Sequence, residues 1–536
     1  MTVYIGEDFT DEEQDVLRRY FTNLDGPVFA LVNLPEVVKG ALFARYSRSP
    51  KSLRRLFLDE FVGDLDISGD LSVDATMGLE RAEQLYQRVF LEYGDDSVAQ
   101  LGGVHLACEQ ASNLLTKVLE WGRLAAYLEQ STRYIAYDSR LGGRYRYYRD
   151  PEVLASPLGL RYVAEMDAMF DSYAALVPVM QDFFRTQFPK DAADSDFVYR
   201  QALKAKALDS IRGMLPAASL SNVGIYATGQ AYEMLLYRMR SHPLPESRAY
   251  ADLMLEELRK VIPSFLRRVD LPDRGEVWRD YLEDREDAMW QIAGRLIGDE
   301  VPEEAAEVTL VDWDPDAEIK LVASMLYAYT DLPETQLEVK ARAMSVDDRL
   351  SVMRAYEGDR KNRRHKPGRA LERPSYRFDI LADYGAFRDL QRHRLLSLEW
   401  QKLTTRHGYD RPPAVDAAGQ TAAFDAAVER SAALHDDLRD DFPDQASYAV
   451  ALAYKVRFYM HLNARAATHM LELRSGPQGH PAYRRIAQEM HRLIADKAGH
   501  RAIAESMRFV DHSAEPELER LGAERAAEAR RSANLT

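Results

Sequence analysis

The sequence predicts an α/β protein of the α+β type, built as two related domains that each pair a sheet with long helices. Its 536 residues exceed what one hydrophobic core usually serves. Segments with apolar residues at helical spacing are interleaved with short β-branched runs. Two distant stretches also repeat one another.

Residues 122 to 138 read GRLAAYLEQSTRYIAYD and residues 393 to 410 read HRLLSLEWQKLTTRHGYD. Each has Arg-Leu, an apolar stretch, Thr-Arg and a closing Tyr-Asp, with the arginines ten positions apart in the first and twelve in the second. A second pair agrees: Arg240-Ser241-His242-Pro243 with Ala249-Tyr250, against Arg474-Ser475-Gly476-Pro477 with Ala482-Tyr483. One repeat of this length means two domains and no solenoid. The expected division is residues 1–270, a connection at 271–305, and residues 306–536.

Taken in order, Pro35 suits a first helical turn and opens a helix. Residues 97–121 read as one helix, with Leu101, Val104, Cys108, Ala111, Leu115, Val118 and Trp121 near one face. The aromatic and basic stretch Arg140-Leu141-Gly142-Gly143-Arg144-Tyr145-Arg146-Tyr147-Tyr148-Arg149 alternates as a half-exposed strand does; interleaved Tyr and Arg can also stack bases. Long helices follow between 158 and 188, and another from about 222 to 240. The polar helix near 270–305 is expected to join the repeats, and Val308–Trp313 to open the second as a strand. Lys361–Arg369 is basic and turn-forming, a solvated loop or else a rim that attracts a phosphorylated cofactor. Residues 411–445 read as acidic and helical, and 513–536 as a fraying end.

Composition narrows the function. A net charge of −16 argues against a general nucleic-acid or membrane-surface binder, because phosphate-tracking proteins carry clustered excess Lys and Arg. The single cysteine, Cys108, excludes an intramolecular disulfide framework and a multi-cysteine metal site, and a buried inert thiol is expected there. The N-terminus has no basic n-region and no apolar h-region, and no apolar run is long enough to span a bilayer, so the expected location is the cytoplasm. Neither Gly-x-Gly-x-x-Gly nor a Walker-type Gly-Lys-Ser/Thr occurs, which argues against a Rossmann site or a P-loop. No His-Glu-x-x-His supplies a catalytic zinc, and no metal site is expected.

The most telling stretch is Gln391-Arg392-His393-Arg394-Leu395-Leu396-Ser397. Guanidinium forks bind phosphate bidentately and stay charged at any working pH, so this cluster suits a pyrophosphate or nucleotide phosphate. An exposed basic turn is the plainer explanation of an isolated triplet.

Arg392-His393-Arg394-x-x-Ser397 resembles the signature of the flavin-dependent thymidylate synthases (the ThyX family), in which Arg-His-Arg-x-x-Ser leads into Ser-x-Arg-Tyr. The tail of that signature is best kept in the first half, as Glu129-Gln130-Ser131-Thr132-Arg133-Tyr134. Asp95-Asp96-Ser97-Val98-Ala99-Gln100 is similar to the family's His-x-Ser-Val-x-Glu with the histidine and glutamate replaced, and Asn463-Ala464-Arg465 with His469 and Leu473-Arg474 resembles its later flavin and nucleotide segment.

The resemblance implies FAD held by Arg392, His393, Arg394, Asn463, Arg465, His469 and Ser97. It implies a nucleotide met by Glu129, Ser131, Thr132, Arg133, Arg212 and Arg474, with Arg474 as the catalytic arginine that polarises the pyrimidine. The implied reaction is reductive methylation of dUMP to dTMP with methylenetetrahydrofolate and NADPH. Modification of another uracil nucleotide, or a catalytically inactive flavin or nucleotide sensor, stands beside it. Partners are the small-molecule nucleotide and folate, and a homodimer that imitates the family's homotetramer.

The departures are as specific as the matches. His407 replaces the motif tyrosine, Lys402 the family glutamate, and Ser447 or Tyr448 stands where the Leu-Pro arginine would be; in the first half Trp121-Gly122-Arg123 replaces Arg-His-Arg. The losses look complementary. The first half is expected to keep the substrate-phosphate loop, Arg212 included, and the second the flavin groove.

Overall fold

The computed structural model describes residues 4–34, 36–60, 62, 100, 102–192, 194–298, 300–513, 518 and 520–534. Two four-stranded antiparallel sheets have the same strand order. The first is built from β1 (Val28–Leu31), β2 (Gly103–Ser112), β3 (Ala125–Glu129) and β4 (Leu220–Thr228), ordered β1-β2-β4-β3. The second uses β5 (Val308–Trp313), β6 (Ser375–Asp383), β7 (Ser397–Trp400) and β8 (Lys455–Asn463), ordered β5-β6-β8-β7. The tandem duplication is therefore visible in topology as well as in sequence.

The helices that matter for function repeat too. In the first copy α1 (Asn113–Leu119) follows β2, α2 (Gly229–Arg240) follows β4, and α3 (Pro245–Arg259) comes next. A further helix, α4 (Gly275–Ile297), closes that half. In the second copy α5 (Tyr384–Gln391) follows β6, α6 (Ala464–Arg474) follows β8, and α7 (Pro481–Asp496) comes next. Each strand-to-helix switch is marked by a capping side chain. Ser112 accepts from the Leu115 amide, Thr228 from Ala231, Asp383 from Ala386 and Asn463 from Ala466.

Four expected elements differ. Residues 103–112 form a strand, and among the described residues of 97–121 the α-helix is α1; residues 97–99 and 101 lie outside the described residues. The cause is burial on both faces: Val104, Leu106 and Cys108 pack in one apolar cluster while Ala107 packs in another with Phe29, Phe43 and Phe57. A doubly buried strand shows a near-continuous apolar run, which periodicity does not separate from a buried helix. The helix expected over 222–240 likewise begins only at Gly229, after β4. The Tyr-Arg stretch is not a strand, since Tyr147 makes only an isolated bridge to Ser219. Its tyrosines are buried, with Arg149 over the Tyr147 ring at 3.8 Å and Arg140 over Tyr145 at 4.6 Å. At the C-terminal end Leu521–Asn534 is helical, and Arg525 Nη2 donates to Asp194 Oδ2 at 2.8 Å where fraying was expected.

The chain forms two compact units, and neither is continuous in sequence. Unit 1 comprises Met1–Ala174, Leu215–Pro302 and Glu429–Val450; unit 2 comprises Ala175–Met214, Glu303–Val428 and Ala451–Thr536. The connection expected at 271–305 holds α4, which lies wholly in unit 1. Each unit thus takes a segment from the other half of the chain. In unit 2 the Ala453 amide donates to the Gly213 carbonyl at 2.9 Å; in unit 1 the Ala218 amide donates to Tyr448 at 3.0 Å.

Candidate functional site

The arginine cluster lies in unit 2, where α5 ends and α6 runs alongside. α5 closes at Arg392, its C-cap, and the chain turns outward through His393, exposed Arg394 and Leu395 into β7. Asp389 sits at the centre of the cluster. Arg392 donates to its carboxylate, Arg212 Nη1 lies 3.6 Å from Oδ2, and Arg474 Nη1 lies 3.9 Å from Oδ1. Three guanidinium groups thus share one carboxylate. Arg212 and Arg474 are largely buried, and buried charge is costly unless counter-charge completes it.

Arg474 also donates from Nε to His393 Nε2 at 2.8 Å, and its guanidinium lies 5.3 Å over the Tyr483 ring. Burial, then Arg474, His469 and Arg392, hold His393 well below the usual histidine range. A neutral imidazole follows, accepting at Nε2 and carrying its proton on Nδ1. Desolvation lowers Arg474 as well, without approaching loss of its charge at working pH.

A second shelf of positive charge comes from Lys361–Arg369, which packs on α6. Lys366 reaches His469 Nδ1, and Arg465 Nε donates to the Pro367 carbonyl at 2.9 Å and Nη1 to Glu372 at 3.1 Å. His469 stands edge-on to His393 at 5.9 Å between ring centroids. Most of the loop is exposed, with Pro367 buried against α6, as a solvated loop would be. Asn463 is committed to capping α6.

Two carboxylates in this region carried no expectation from sequence. Asp389 organises the arginines, and Asp383 caps α5 beside Arg212. Burial pushes Asp383 up to about 6, against the opposing pull of Arg212. A Cβ on Gly385 would stand 2.9 Å from Asp383 Oδ1 and 3.3 Å from Arg212 Nη2, so the glycine is what lets the guanidinium approach. Asp383 was findable as an Asp directly before an apolar helical run. Asp389 gave no signal beyond its place three residues before Arg392.

Arg212 corrects the expected division of labour. Sequence grouped it with Ser131 and Arg133, but it is the C-cap of a helix in unit 2 and sits with Asp389. Unit 1 receives Ser447 and Tyr448 at the corresponding place. The losses therefore concentrate in one unit.

The rest of unit 1 agrees. Trp121 lies nine residues past the cap Ser112, as Arg392 lies nine past Asp383, so Trp121-Gly122 occupies the place of Arg392-His393. Lys117 Nζ is buried, bonded to Glu120 at 2.6 Å and Glu129 at 3.2 Å. Glu129, expected on the substrate, is thus a member of an internal ion triad. Thr132 and Arg133 are buried, and Ser131 accepts from the Arg133 amide at 3.3 Å. Register also refines the motif comparison: Glu129 pairs with Val223 and Trp400 with Phe458, each partner five residues before its helix cap. Trp400, and not Lys402, holds the place of Glu129, and the two additional residues of the second copy follow β7. Ser97 lies outside the described residues.

Among the described residues no group of three or more His, Cys, Asp or Glu is placed to hold a metal, and no helix is long and apolar enough to cross a membrane.

Fold and cluster together define a duplicated α/β protein in which Arg212, Arg392 and Arg474 gather on Asp389 within unit 2. The family described as Thymidylate synthase complementing protein matches the chain twice, over residues 52–264 and 309–498, and the chain belongs to that family as a tandem ThyX-like duplication. It is 40% identical over 520 residues to a UPF0159 protein of Chlamydia muridarum, covering 96% of this chain and 97% of that one. It is 30% identical over 514 residues to UPF0159 protein Ta1429 of Thermoplasma acidophilum, covering 91% and 97%. Among solved structures, the UMP/dUMP methylase PolB from Streptomyces cacaoi, bound with 5-Br dUMP, aligns at 20% identity and TM-score 0.29, over 38% of this chain and 97% of that one.

Proposed function

We propose that the chain is a flavin-dependent thymidylate synthase that methylates dUMP to dTMP with methylenetetrahydrofolate and NADPH, using the arginine site of unit 2. The observation that carries this reading is the convergence of Arg212, Arg392 and Arg474 on the single carboxylate of Asp389. An anionic nucleotide suits Arg212, whose Nη2 is buried and makes no hydrogen bond among the described residues, and FAD phosphates suit Lys366 and Arg465, which extend the positive field along α6.

The residues divide the work as follows. Arg392, Arg465 and the Lys366 rim neutralise cofactor phosphates, and Arg212 meets the nucleotide phosphate. Arg474, fixed by His393 and Asp389, donates to the pyrimidine carbonyl where negative charge grows. His393 stays neutral, so it orients Arg474 without adding to the repulsion between cations. Bound FAD supplies the redox chemistry of the one-carbon transfer. No thiolate is available to begin the reaction at the pyrimidine, because Cys108 is the only cysteine and burial pushes its thiol up.

The test is product analysis. Purified chain with FAD, NADPH, methylenetetrahydrofolate and dUMP is expected to oxidise NADPH in a dUMP-dependent way, form dTMP and rescue a thymidine auxotroph. Methylation of UMP in place of dUMP would reassign the acceptor. Failure of oxidation, product and rescue together would leave a nucleotide sensor and overturn the enzymatic reading.

A further inference from the structure

Unit 1 holds a half-buried arginine that none of its described carboxylates neutralises. Arg238, on α2, lays its guanidinium over the Trp121 ring at 5.1 Å. Its Nε is buried without a hydrogen-bond partner, and among the described residues no ion pair holds the group. The carboxylates that reach α2 are taken by other cations: Glu233 accepts from Arg268 at 2.8 Å, and Asp252 and Glu276 lie 3.5 and 3.6 Å from Arg240. Burial lowers Arg238 below the usual arginine range, with Tyr127 opposing. A desolvated charge of this kind is costly until an anion joins it.

The turn between α1 and β3 supplies a second donor. Gly122 stands against the guanidinium, since a Cβ on it would lie 3.6 Å from Arg238 Nη2 and 2.5 Å from Tyr127 Oη, which itself donates to the Gly122 carbonyl at 3.1 Å. The Gly122 amide donates to nothing among the described residues, whereas the His393 amide at the matching turn of the second copy donates to the Leu390 carbonyl at 3.3 Å. These donors are not the unit 2 cluster in weaker form. Arg238 lies ten residues past its cap Thr228, where the second copy has Leu473 ten past Asn463, and Trp121 and Gln230 stand where Arg392 and Arg465 would be.

We propose that Arg238 and the Gly122 amide bind a single phosphate group beside Trp121, either free phosphate or the phosphate of a nucleotide. A guanidinium and a main-chain N–H are donors suited to phosphate oxygens. Arg238 and Gly122 are both half-buried, so the anion enters from the solvent side. One guanidinium neutralises one phosphate and not a pyrophosphate, so this pocket leaves the flavin count at one per chain.

Trp121 reports on this pocket. Inorganic phosphate, titrated into the purified full chain at constant ionic strength, is expected to change tryptophan fluorescence and raise the thermal midpoint. In Arg238→Met both responses are expected to weaken at least about tenfold. Methionine keeps the contact with Trp121 and buries no charge, so without phosphate this variant is expected to fold and to melt no lower than wild type. An Arg392→Ala, Arg465→Ala chain is expected to keep the phosphate response, which separates the pocket from the cluster of unit 2. Titrating dTMP into that same chain identifies the source of the phosphate: affinity at least about tenfold above inorganic phosphate marks a nucleotide, and equal affinity marks the free anion. No saturable response to either compound in wild type would overturn the proposal. So would a response undiminished in Arg238→Met, or one lost in the unit 2 variant.

Discussion

At the scale of single residues, Arg474 has the most defined role. It is held on three sides, by His393, by Asp389 and by the Tyr483 ring. A donor preorganised in this way contributes roughly 3 kcal/mol to a transition state that develops negative charge, so Arg474→Ala is expected to lower kcat/KM about a hundredfold or more. Arg474→Lys is expected to recover little, because an ammonium cannot reproduce the fork that binds His393 and Asp389 together. Steady-state kinetics checks both, and near wild-type turnover in Arg474→Lys would show that charge alone suffices. Gly385→Ala probes the neighbouring arginine without removing it. The added Cβ stands 2.9 Å from Asp383 Oδ1, and relieving it displaces Asp383 and Arg212. Weaker dUMP binding, by about tenfold, with FAD retained is the expected outcome of titration calorimetry; unaltered dUMP affinity would remove Arg212 from the nucleotide phosphate.

At the scale of elements, the second sheet was more legible than the first. β6 and β8 alternate buried and half-buried positions along their whole length, whereas β2, buried between two apolar layers, carries no period that identifies a strand. Arg392, His393 and Arg474 could be read as a cluster because their motifs lie at the ends of α5 and α6. Arg212 could not be placed, because its segment joins the unit made mostly of the other half, and no local pattern encodes such an exchange. The matching segment in unit 1 has a measurable consequence. Tyr448 donates to Glu246 Oε2 at 2.7 Å, and Ser112 donates to the same carboxyl through its amide at 2.9 Å and its hydroxyl at 2.6 Å. Burial nevertheless raises Glu246 from 4.5 to about 7. Between those values the folded chain keeps a proton that the unfolded chain has released, so stability is highest below the lower value and falls as pH rises through the upper. The loss amounts to about 3 kcal/mol at most. Glu246→Gln, an imitation of the protonated acid, is expected to flatten the fall in urea midpoint of unit 1 between pH 5 and 7.5. An unchanged pH dependence would exclude Glu246 as its source.

At the scale of the whole molecule, the duplication has kept two sheets of one topology, and the arginine cluster around Asp389 lies in unit 2. Unit 2 holds Arg212, Arg392, His393 and Arg474 together, while unit 1 has Trp121 and Gly122 at the matching turn and a buried Lys117-Glu120-Glu129 triad behind it. The first copy thus retains the scaffold, with Lys117 neutralised internally. One site per chain is the central claim, and flavin stoichiometry tests it most directly. FAD released by acid, set against protein by amino-acid analysis, is expected at close to one per chain, and at close to zero in a folded Arg392→Ala, Arg465→Ala chain. A ratio near two, or flavin retained in full by that variant, would contradict the account.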